Sequence, residues 1–143
     1  MESWRKVWRE GFAPLFSIKG LSFLYKALAE DDPRLIQGAT TNPPALINFM
    51  NQPTDGGCAV AYCGIENEGG FGKASVTDVE EFFARACFEA DNRLGEPAAC
   101  RYFLNWFDDT PREEMRSKLT QEISMELDKR STVSGNLSTN KKA

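Results

Sequence analysis

Between residues 77 and 130 the apolar side chains recur every three to four positions, and each run is bracketed by residues that start or stop helices. Val79, Phe82, Phe83, Ala86, Cys87 and Ala90 form one stripe. Thr77 and Glu80 stand before it at capping-box spacing, and Gly95 follows it as a left-handed stop. A strand repeats its faces every second residue, so this pattern has no use in a sheet. Pro97 opens a second run, in which Ala99, Cys100, Tyr102, Phe103, Leu104, Trp106 and Phe107 lead to about Asp108. Those residues cover nearly the whole circumference, which predicts a helix buried on several sides at the centre of the domain. Thr110, Pro111 and Glu113 repeat the start signal, and Met115, Leu119, Ile123 and Leu127 carry a narrower stripe to about Lys129.

Upstream, Trp4, Val7, Trp8, Gly11 and Phe12 fall on one face of a helix over 2–12, which Pro14 is expected to end. Leu21, Leu24, Tyr25 and Leu28 predict a second helix, Ile18–Glu30. Asp32 and Pro33 predict a single helical turn over 33–37. Asn42 and the two prolines after it predict a short helix over 45–50, with Leu46, Phe49 and Met50 facing inward. Residues 58–76 are ambiguous. The run from Cys58 to Cys63 is too short for periodicity to separate helix from strand. A short helix followed by a loop is favoured, because an isolated hairpin is marginal in water. A small β-hairpin around 58–76, turning through Glu66 to Gly70, is the alternative.

The chain of 143 residues therefore reads as all-α: a single compact domain of five or six helices over 1–130. The polar residues 131–143 are expected to form a disordered C-terminal tail. The expected core is Leu21, Leu24, Leu28, Val79, Phe82, Phe83, Cys87, Phe103, Trp106, Leu119 and Ile123.

Composition narrows the function. The net charge is −4, and Lys and Arg are scattered, so a phosphate-backbone binder is not expected. There is no apolar run long enough to span a bilayer and no apolar leader near residue 1, so a cytoplasmic protein without a membrane partner is expected. The chain has no His, which removes the commonest general base and zinc ligand. Cys58, Cys63, Cys87 and Cys100 include no C-x-x-C pair and sit among apolar neighbours, so core thiols are expected, with no metal and no cofactor. The Gly-rich stretch from Gly64 to Lys73 lacks the Ser or Thr of a phosphate loop and carries two Glu. Asp31/Asp32, Glu80/Glu81 and Asp108/Asp109 fit helix boundaries and first turns better than acid–base pairs.

One surface feature remains. Trp4, Arg5, Trp8 and Phe12 combine residue types enriched at interface centres. If the first helix projects, they form a partner-binding face; if it packs inward, they are core. The expectation is a small cytoplasmic protein-interaction or regulatory domain that binds a protein partner or itself through this aromatic helical face, rather than an enzyme. The alternative is an enzyme with a carboxylate- or Cys63-based site in the 38–76 loop region, the longest irregular stretch.

Overall fold

Six helices carry the chain: α1 (Ser3–Lys6), α2 (Ile18–Glu30), α3 (Ala59–Asn67), α4 (Val76–Leu94), α5 (Cys100–Asp109) and α6 (Arg112–Lys142). Two-residue strands β1 (Thr41–Asn42) and β2 (Gly56–Gly57) pair antiparallel, Thr41 opposite Gly57. This computed structural model describes the backbone of residues 1–142 and the side chains of residues 1–132. Most of the tail expected over 131–143 therefore lies outside the residues whose side chains are described.

The first helix changes its winding. α1 continues as a π-helix, Val7–Phe12, and then as a 3-10 turn, Ala13–Leu15. In a regular α-helix, side chains four residues apart drift by about 40° around the axis. The wider π turn, closed here by Ala13 N–H donating to the Trp8 carbonyl, rotates less per residue. Trp4, Trp8 and Phe12 all stay on the inner face and are buried. Trp4 stacks on Trp106 with ring centroids 3.6 Å apart, and Trp8 and Phe12 lie 5.0 and 5.5 Å from the Phe103 ring. Gly11 permits the close approach to α4: a Cβ there would stand 3.0 Å from Leu94 Cδ1 and 3.2 Å from Ala90 Cβ.

α2 matches its sequence limits. The Ser17 hydroxyl accepts the Gly20 N–H at 3.0 Å, and Asp31 ends the helix in the left-handed region at φ 51°. The carbonyls at its C-terminal end are taken by α6: Arg116 Nε donates to Leu28 O at 2.8 Å and Arg112 Nη2 to Asp32 O at 3.0 Å. α3 crosses α4 at Gly64, where a Cβ would fall on the Phe82 ring. The short helix favoured within 58–76 is present as Ala59–Asn67, and the alternative hairpin is not.

Several local expectations are corrected. Residues 33–37 are not a helical turn. Leu35 bridges Gly57 instead, with Ile36 N–H donating to Gly57 O and Gly57 N–H to Arg34 O, both at 2.9 Å. Over 45–50 only a 3-10 turn forms, Ile47–Phe49, and Leu46 points outward. α4 starts before Thr77, because the Ser75 hydroxyl accepts the Asp78 N–H while Thr77 Oγ1 donates to Met50 O. α5 is not buried all round: Cys100, Phe103 and Phe107 face inward, while Tyr102 is exposed. Of the expected core, Phe82, Phe83, Cys87 and Trp106 are only half-buried; the other seven are fully buried.

Candidate functional site

The residues singled out at the N-terminal end do not form an open face. Trp4, Trp8 and Phe12 are enclosed by α4 and α5, so they are core and offer no surface to a partner in this fold. The reason is that α5 places Phe103 and Trp106 against the same stripe. Arg5 is tied down as well. Its Nε donates to Glu2 at 2.9 Å and its Nη1 to Glu122 Oε2 at 3.2 Å. Arg9 adds a two-pronged contact to the same carboxylate, with Nη2 to Oε2 at 2.8 Å. Glu122 is 3% exposed, and the two guanidinium groups compensate the buried charge.

The alternative site residues are structural too. Cys63 is buried, and burial pushes its thiol well above the usual range. The Cys58 thiol is pushed up to about 12 by the same cause. Burial also raises Cys87 and Cys100. No thiol is therefore poised as a thiolate nucleophile. The acidic pairs serve helix ends and loops. Asp31 pairs with Arg112. Asp32 binds the Arg34 guanidinium and accepts the Tyr62 O–H, and the Arg34 hydrogen bonds hold its carboxyl down to about 2. Glu80 accepts the Thr41 hydroxyl at 3.0 Å.

A concave site does form where the 38–76 region meets α5. Asp91, on α4, sets the start of α5 by accepting Cys100 N–H at 2.8 Å and Ala98 N–H at 3.1 Å. Gln37 Nε2 holds the other end, donating to Phe107 O at 2.7 Å and Thr110 O at 2.8 Å. Gly38 N–H donates to Asp108 Oδ1 at 2.9 Å, and Cys58 N–H to Thr40 O at 3.1 Å. These bonds fix the 38–40 loop across the space between the start of α3 and α5. The cleft between them has a volume of about 390 Å³.

Its floor is Val60, Phe103 and Phe107, all fully buried, with half-buried Phe83 and Leu104 as walls. The thiols of Cys58, Cys87 and Cys100 also line it and present soft, protonated surface. Thr40, Arg101, Asn105 and Asp108 stand on the rim. A second depression of about 410 Å³ lies over the α4–α5 turn beside exposed Phe88. It is lined by the last turns of α4 and the turn after it and has no comparable buried floor.

An apolar floor with a few polar groups at the mouth suits a small organic ligand. Among the described residues no group of three His, Cys, Asp or Glu side chains is placed to hold a metal ion. Among them, too, no helix is long and apolar enough to cross a membrane. No protein family, no curated protein and no solved structure matches the chain.

Sequence reasoning singled out the 38–76 loop region as the alternative place for a site, and the cleft forms at its start. That reasoning missed α5 as the opposite wall. The signal was present: Arg101, Leu104, Asn105 and Asp108 fall at i, i+3, i+4 and i+7 and mark one mixed face.

Proposed function

We propose that this domain acts by binding, holding a small, partly apolar molecule in the cleft between the 38–40 loop, the start of α3 and α5. The observation that carries the reading is a 390 Å³ cleft with a fully buried apolar floor. A regulatory role suits a domain of this kind better than catalysis, because burial keeps every thiol around the cleft protonated. A cytoplasmic, reducing setting fits four free cysteines. The test uses 1-anilinonaphthalene-8-sulfonate as a probe. Wild type should enhance its fluorescence at one saturable site. Leu104→Trp, which fills the cleft from a half-buried wall, should abolish that site while the thermal midpoint holds. Equal enhancement by both proteins refutes the cleft as the binding site.

A second reading, contact with a protein, is favoured by the 43–50 loop. Ile47 is 94% exposed and Leu46 56%. The loop that presents them is nevertheless anchored at both ends. Thr77 donates its N–H and its hydroxyl to Met50 O at 3.0 and 2.8 Å, and Asp55 N–H donates to Asn42 O at 2.8 Å. An ordered loop with an apolar tip is the form a docking element takes. A second copy of the chain is the partner to test first. Sedimentation should show a concentration-dependent dimer for wild type and a monomer for Leu46→Ser/Ile47→Ser. A monomer in both cases removes self-association through this loop.

A further inference from the structure

We infer that the cleft takes a dipolar molecule, with an anionic group at Arg101, a cationic, hydrogen-bond-donating group at Asp108, and an apolar chain between them. The inference rests on the cleft being a binding site and adds the class of ligand. Arg101 and Asp108 sit seven residues apart on α5, on the face turned to the cleft. Their Cα atoms are therefore about 10 Å apart along the axis, at 1.5 Å rise per residue. No ion pair joins them, so two opposite charges stand at the two ends of one rim.

Arg101 stands apart from most arginines of the chain. Arg5, Arg9, Arg34, Arg93, Arg112, Arg116 and Arg130 each donate to a carboxylate or a backbone carbonyl. Among the described residues Arg101 and Arg85 do not, and Arg101 is the one on this cleft. Asp108 is half engaged: Oδ1 accepts the Gly38 N–H, which fixes the carboxylate, and Oδ2 has no partner among the described residues. Between the two charges the cleft offers Leu104 and Phe83 with Val60 beneath, and the side-chain amide of Asn105. A simple anion would be attracted at one end and repelled at the other. A simple cation would meet the reverse. A molecule with both charges at the matching span satisfies each end while its chain covers the apolar floor.

The probe is 8-aminooctanoate, whose charged ends stand about as far apart as the two Cα atoms, compared by calorimetry and amide NMR with octanoate and octylamine. The dipolar molecule should bind about fivefold tighter than either single-headed one, the scale of one solvent-facing ion pair. Arg101→Gln should reduce it to the level of octylamine and Asp108→Asn to the level of octanoate, with both variants as thermally stable as wild type. Octanoate or octylamine binding as tightly as 8-aminooctanoate overturns the dipolar class and leaves the cleft reading standing. If none of the three binds, or if Leu104→Trp binds 8-aminooctanoate like wild type, both fall.

Discussion

Replacing Phe103 by Ala separates the true centre of this domain from its periphery. Phe103 is fully buried, and the rings of Trp4, Trp8, Phe12, Trp106 and Phe107 surround it, with centroids 5.0 to 6.5 Å away. Removing the ring forfeits about 2–3 kcal/mol of apolar transfer. The surrounding rings belong to two helical segments that cannot collapse independently, so a cavity term of about 1–2 kcal/mol adds to this. The total is about 3–5 kcal/mol. Phe83 provides the control. It lies one helix away and is only half-buried, so it has less apolar surface to lose and its removal opens a space that solvent already reaches. That change should lower stability by only about 1–2 kcal/mol. Urea unfolding followed by circular dichroism measures both. In thermal terms the Phe103 variant should melt roughly 10–20 °C below wild type and the Phe83 variant roughly 3–8 °C below. If Phe83→Ala lowers stability as much as Phe103→Ala, the placement of the core around α5 is wrong.

Three further outcomes are expected. Glu122→Ala leaves Arg5 with Glu2 alone and Arg9 without its carboxylate, and should lower stability by about 2–3 kcal/mol, less than for a fully buried pair because both arginines reach solvent; no change in a urea titration would refute the structural role of that carboxylate. The Asp32 carboxyl is held down to about 2 by Arg34, below its unfolded value of 3.8. Its contribution is therefore complete above pH 4 and disappears as the pH falls through 2, by no more than about 1 kcal/mol at this solvent-facing site. Asp32→Asn should flatten the stability curve between pH 5 and 2, and an unchanged slope refutes the assignment. At neutral pH a maleimide should leave Cys63, which is buried away from the cleft, unlabelled in the folded protein and modify it in urea; rapid labelling of Cys63 before unfolding contradicts that burial.

What could be read from residues alone follows how far each interaction reaches along the chain. The limits of α2 and the stop at Gly95 depend on neighbours within a few positions, and both stand as expected. The start of α4 moved because two hydroxyls compete. Ser75 reaches the Asp78 N–H, and Thr77 is drawn away by a carbonyl 27 residues earlier. The strap from 33 to 57 was illegible for the same reason. Its backbone bonds run between Arg34, Ile36 and Gly57, and no local pattern announces such a pairing. The α4 stripe was read correctly as apolar but is wider than the surface that α1, the π-helix and α3 cover. Phe83 and Cys87 are left over, and they became the wall of the cleft. The cleft was half legible: its loop was noticed, whereas the facing side of α5 depends on how Asp91 and Gln37 set that helix in place.

The burial of Trp8 has a consequence for how the chain emerges from the ribosome. Its cover is Phe103, and the clamp beside it joins Arg9 to Glu122, 113 residues further on. At about 5–20 residues per second, that separation takes of the order of ten seconds to synthesise. For that interval the side chains of Trp4, Trp8 and Phe12 lack the cover that Phe103 supplies in the finished fold. A chaperone that recognises uncovered aromatic side chains has time to bind there. The aromatic face is thus exposed while the chain grows and a core element in the finished fold. Translation slowed between codons 12 and 103 should lengthen that exposure and raise aggregation, and a polar replacement at Trp4 should relieve it at the expense of final stability.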